Sequence, residues 1–139
     1  MPSVHFFQED IDFKLPHPRK TAKWLKDVIA AEGKVPGVIN CIFCSDTYLS
    51  QLNTRYLQHK TLTDIITFDT SEGDPGIHGD IFISIDRVKD NARQYKEPFD
   101  QELHRVIVHG VLHLLGYGDK TEAKKRLMRK REDAYLSLR

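Results

Sequence analysis

The sequence predicts an α/β (α+β) fold: a small four-stranded mixed sheet packed with about five helices, in one domain spanning residues 1–139. Three observations lead there. Short β-rich runs alternate with amphipathic helical stretches along the first half of the chain. Two strand-like runs, TDIITFDTS and DIFISI, are separated by only a short polar turn, which favours antiparallel pairing. The stretch 99–115 is apolar nearly all round, as expected of a helix at the centre of a domain.

Each element has its own warrant. SVHFFQEDIDF reads as a first strand that ends before KLPHP, where Pro16 and Pro18 mark a loop. In RKTAKWLKDVIAAEGK, Ala22, Leu25, Val28 and Ile29 keep helical spacing, and Gly33 stops the helix. Pro36 and Gly37 turn the chain into a strand over 38–44. SDTYLSQLNTRYLQHK then forms a helix capped by Ser45 or Asp46, with Tyr48, Leu49, Leu52 and Tyr56 on one face. After the third strand and the turn EGDPGIHG, the fourth strand alternates Ile81, Ile83 and Ile85. DRVKDNARQYK is a helix with Asp86 as its cap. Pro98 opens the apolar helix, and an amphipathic helix covers roughly 121–137. The expected order is β-α-β-α-β-β-α-α-α.

Composition narrows the class. A hydrophobic share of 40% and a charged share of 29% are ordinary for a soluble protein. No run approaches the roughly 18 apolar residues of a membrane span, and the acidic N-terminus does not read as a signal peptide. A cytoplasmic location without membrane partners is therefore expected. The net charge is only +1, yet the segment from Lys120 onward carries eight Lys or Arg against three acidic residues. Cys41 and Cys44 lie in the apolar run GVINCIFCS. Three residues apart on a strand they face opposite ways, so two separate reduced thiols are expected rather than a metal or redox pair.

The chemistry concentrates in HGVLHLLGYGDK, residues 109–120. His109 and His113 share one helix face, and two imidazoles at that spacing can reach one zinc ion at about 2.0–2.1 Å. Gly116 sits where a left-handed residue reverses the chain, and the reversal can bring Asp119 back toward both histidines. Three protein ligands leave a fourth position for water, as in catalytic zinc sites. Zinc proteases share this ligand spacing but need Glu where this chain has Gly110, which argues against peptide hydrolysis. Phosphodiester cleavage depends more on stabilising charge around phosphorus. No side chain is assigned as general base, and water activated by the metal is expected to serve.

At these residues the chain resembles the YbeY family of bacterial rRNA maturation factors, whose hallmark is H-G-x-L-H-L-x-G-Y-D-H. The match runs through Tyr117 and then departs, with Gly118 at the Asp position and Asp119 at the third His position. LNTRYLQHKTLTDIITF (52–68) and GDIFISIDRVKDNA (79–92) are similar to two further family segments. The resemblance implies a metal-dependent single-strand endoribonuclease acting in small-subunit rRNA 3′-end maturation and ribosome quality control. It implies one zinc ion per chain on His109, His113 and Asp119. Its partners would be ribosomal RNA and the small subunit, with ribosomal proteins or assembly GTPases as further candidates. His59, Lys60, Thr63 and Asp64 are candidate substrate residues, as are Lys124, Lys125 and Arg126 on the basic helix, which can hold phosphates without reading sequence. Leu57 stands where the family usually has an Arg. That departure keeps open a non-catalytic, zinc-stabilised ribosome-assembly factor, with a metallohydrolase of another class, such as a peptidase, ranked last.

Overall fold

A computed structural model of the chain describes residues 2–57 and 63–139. The elements are β1 (Ser3–Gln8), α1 (Pro18–Ala31), β2 (Val35–Cys44), α2 (Asp46–Leu57), β3 (Ile65–Asp69), β4 (Gly76–Ser84), α3 (Ile85–Tyr95), α4 (Phe99–Leu114) and α5 (Glu122–Leu136). The expected order and fold class are both found. The sheet runs β1-β2-β4-β3, with β1 and β4 parallel to β2 and β3 antiparallel to β4.

The sheet buries both faces unequally. Ile39, Cys41, Phe43, Ile81 and Ile83 form the main core with α1 and α4. On the other face Cys44 and Ile66 pack with Leu49 of α2. The two cysteines therefore enter different cores, as strand alternation requires. Burial pushes both thiols up to about 12.

Several boundaries differ from expectation: β2 already starts at Val35, so Pro36 and Gly37 lie in the strand, β4 takes in Gly76–Gly79 of the expected turn, and Ile85 opens α3. Three others differ for identifiable reasons. The first strand stops at Gln8 rather than Phe13. The Phe13 amide donates to the Gln8 side chain (3.1 Å), and the Phe13 ring turns inward against Phe43 and Phe99. Pro18 is the first residue of α1 rather than part of the loop, a position where its missing N–H costs nothing. Asp86 does not cap α3. Ser84 does, its hydroxyl accepting from the Arg87 amide at 3.1 Å, while Asp86 accepts from the Asp46 amide at the start of α2. Ser84 Oγ in turn donates to Asp46, which also receives Arg87 Nε, so the two helix starts are tied together.

Helix α4 crosses the sheet in close contact. A Cβ on Gly110 would come within 2.8 Å of Ile65 Cδ1 and 2.9 Å of Ile81 Cγ2. Gly110 is thus where the helix lies down on β3 and β4. A glutamate at this position, as in zinc proteases, would force the Ile65 and Ile81 side chains or the helix itself to move. Among the described residues no helix is long and apolar enough to cross a membrane.

Candidate metal centre and RNA cleft

His109 lies in the third turn of α4, with Arg105 one turn before it and Glu102 two turns before it on the same stripe. Helix α5 packs across this stripe and buries Met128, Glu132 and Tyr135, so a carboxylate sits in the middle of an otherwise apolar contact. Glu132 meets two partners there. His109 Nδ1–H donates to it at 2.7 Å, and Arg105 approaches it at 3.2 Å while also reaching Asp133 at 2.8 Å. The Glu132 side chain is 6% exposed, so its charge is compensated by this pair rather than by water.

The carboxylate fixes the tautomer of His109: with the proton on Nδ1, Nε2 faces outward as a lone-pair donor. Burial works against a charge on this ring, but the Glu132 hydrogen bond and the carboxylates of Glu132, Asp64 and Asp119 outweigh it and raise its pKa.

The turn after α4 brings Asp119 back, as the glycine spacing requires. Gly116 has φ 106°, in the left-handed region. Its amide donates to the His113 carbonyl (3.0 Å), and that of Tyr117 to the Leu112 carbonyl (3.1 Å), the paired bonds of a Schellman ending. Tyr117 O–H donates to Glu32 at the end of α1 (2.6 Å), and Tyr135 O–H donates to the same carboxylate. Anchored in this way, the turn places Asp119 Oδ2 3.6 Å from His109 Nε2.

That separation suits a shared ion. Donors on one tetrahedral zinc at about 2.0–2.1 Å lie about 3.3–3.4 Å apart. Two imidazole nitrogens and a carboxylate are also the donor types zinc takes. His113 follows one turn later on α4 with an exposed side chain. Among the described residues no three His, Cys, Asp or Glu side chains are already gathered around one point. The structure thus brings His109 and Asp119 together.

A cleft of about 300 Å³ opens beside His109 and Asp119, between α3, α4 and α5. Asp64 is on its wall, accepting from Asn91 Nδ2 at 3.2 Å. Burial raises the Asp64 pKa, with His109 acting partly against it. Thr63 caps locally, donating to the Ile65 carbonyl. Of the basic residues on α5, Lys125 and Arg129 line the cleft. Lys124 and Arg126 are exposed on α5 outside that wall. His59 and Lys60 lie outside the described residues. Arg55 lines a different cleft, with Tyr48 and Gln51.

Sequence reasoning missed Glu132, Arg105 and Glu102. The available signal was three charged residues at positions that helical periodicity sends inward.

The sequence model of the family described as Endoribonuclease YbeY matches residues 4–138. The chain belongs to this family. Among curated members, Endoribonuclease YbeY of Flavobacterium psychrophilum is 52% identical over 132 residues, 95% of this chain and 94% of that protein. The protein of the same name from Cytophaga hutchinsonii is 50% identical over 137 residues, 99% and 96% of the two chains. The one from Amoebophilus asiaticus is 49% identical over 134 residues, 96% and 91%. Among solved structures, the solution structure of TM1509 from Thermotoga maritima is similar, with a TM-score of 0.62 at 25% identity, covering 96% of this chain and 87% of that one. The family resemblance drawn from the motifs therefore holds over nearly the whole chain.

Proposed function

We propose that the chain is a metal-dependent endoribonuclease that cleaves single-stranded RNA during maturation of the small-subunit rRNA 3′ end, on the ribosome and in the cytoplasm. The observation that carries this reading is the His109–Asp119 pair, 3.6 Å apart at the edge of a cleft walled by Lys125 and Arg129. Family membership supports it, since the curated relatives bear the name of an endoribonuclease.

Zinc is the ion we assign, one per chain, on His109, Asp119 and His113. Such an ion, when bound, polarises a phosphoryl oxygen and acidifies water. The chain's own residues do the rest. Glu132 keeps the Nδ1 proton of His109 in place, so that Nε2 stays a donor of electrons. The Tyr117–Glu32 bond holds the turn that presents Asp119. Lys125 and Arg129 offset phosphate charge next to the reacting group.

The test is cleavage of single-stranded RNA by purified protein, with and without a chelator. Asp119→Ala is expected to lower cleavage at least a hundredfold and chelation to abolish it. Activity that survives both, in a preparation free of other nucleases, overturns the reading. Leu57 in the usual Arg position favours one second reading, a non-catalytic assembly factor whose metal stabilises the fold. That protein would bind RNA or the small subunit without turnover and lose thermal stability on chelation.

A further inference from the structure

The cleft beside His109 contains a charged group that the proposed chemistry does not use. Glu102 is 5% exposed and lines the cleft. Among the described residues nothing hydrogen-bonds its carboxylate. The charges near it are Arg105, Asp64, Arg129 and Glu132, and Arg105 is already committed to Glu132 and Asp133. No buried side-chain oxygen among the described residues is left without a partner, so the Glu102 carboxylate, though mostly covered, still reaches solvent through the cleft. There a ligand with N–H groups would replace that water with direct hydrogen bonds.

The rest of the cleft says what kind of ligand. Its volume of about 300 Å³ is at the lower end of pockets that hold small organic groups, about 300–1,000 Å³. Tyr95 stands at the rim with 59% of its surface exposed, a free aromatic face at the end of α3. Lys125 and Arg129 stand on the α5 wall. An aromatic face, a pair of cations and a buried acceptor are the parts that hold one unstacked nucleotide of a single strand.

A carboxylate accepts through both oxygens and donates through neither. Guanine is the base that offers two adjacent donors, N1–H and the 2-amino group, along its Watson–Crick edge. Adenine and cytosine set a ring acceptor beside their amino group, and uracil flanks one N–H with two carbonyls. Each of these would turn a lone pair toward Glu102.

We infer that the cleft between α3, α4 and α5 is a guanine subsite, in which Glu102 accepts from the base edge, Tyr95 stacks on the base, and Lys125 and Arg129 hold the flanking phosphate. This inference rests on the proposed RNA-cleaving role and specifies its substrate: a single strand with guanine beside the scissile bond.

The experiment has two arms. In the first, the metal-free chain is titrated with each of the four nucleoside 5′-monophosphates and followed by amide chemical shifts. Guanosine monophosphate is expected to bind roughly 5- to 150-fold more tightly than the other three, the range of one good bidentate base contact. Glu102→Gln, which keeps shape but replaces one acceptor with a donor, should bring that ratio near one. Tyr95→Ala should weaken all four nucleotides together. Equal binding of the four nucleotides, or a preference that survives Glu102→Gln, overturns the subsite. If Glu102→Gln does not fold, unchanged nucleotide binding in Tyr95→Ala overturns it instead.

In the second arm, cut sites are mapped on a single-stranded RNA library with the metal-loaded protein. Cleavage enriched for guanine at one fixed position supports the subsite. Cleavage with no base preference overturns the subsite alone, whereas selective guanosine monophosphate binding without any cleavage leaves the subsite standing and removes the endonuclease reading.

Discussion

His104 and His109 lie five residues apart on the same helix, and the fold uses them in opposite ways. His104 faces α1. Its Nδ1–H donates to the Asp100 carbonyl at 2.7 Å, its Nε2 accepts from Thr21 O–H at 3.3 Å, and its ring lies against Trp24. Burial lowers its pKa, and the hydrogen bond to Asp100 recovers only part of that. His109 faces the cleft between carboxylates, which raise its pKa against the same desolvation. One is a neutral core residue with both nitrogens spent. The other has one nitrogen braced and the other free. The difference comes wholly from what packs against each face of α4, since the local helix is the same.

The largest test of this contrast is removal of the brace. Glu132→Ala leaves Arg105 without its main buried partner and frees His109 Nδ1. A loss of about 3–5 kcal/mol is expected from urea unfolding, the usual cost of breaking a buried pair from one side. Metal affinity should fall about 10- to 100-fold, read by competition with a chromogenic chelator. A loss below 1 kcal/mol with unchanged affinity would mean that His109 does not depend on α5.

A smaller effect is expected at the core histidine. The folded state disfavours the proton on His104, while the unfolded chain takes it near the ordinary value of about 6.5. The stability this residue contributes is therefore complete above that pH and is lost as pH falls below it. His104→Gln should cost roughly 1–3 kcal/mol at neutral pH and flatten the acid limb of the stability curve in the window just below about pH 6.5. An unchanged slope in that window would place the acid sensitivity elsewhere.

The smallest is Thr21→Val, which removes only the donor to His104 Nε2. About 0.5–1.5 kcal/mol of destabilisation at neutral pH is expected by thermal melts. Nucleotide and metal binding at the cleft should be unaffected, because α1 meets the opposite face of α4. A change in metal affinity here would show that the two faces are coupled.

Much of this was legible in the residues themselves. The element order followed from apolar period and turn chemistry, and the i, i+4 histidines with Gly116 marked the candidate metal turn before any contact was known. Gly110 was the harder case. As sequence it read as a protease site lacking its base; in three dimensions it is a packing residue, held by Ile65 and Ile81 from two neighbouring strands. Glu132 was legible only in part: its spacing from Met128 and Tyr135 sends it inward, but not toward any named partner. Only the docking of α5 on α4 showed that it meets Arg105 and His109.

The sequence by itself determined the helices and strands, the opposed cysteines and the ligand spacing, because these depend on residues a few positions apart. The tertiary structure alone decided which nitrogen of His109 stays free, which of the basic residues face the cleft, and which groups stand beside Glu102 there. Those outcomes depend on contacts between elements distant in the chain, such as Tyr117 with Glu32, and no local pattern encodes them.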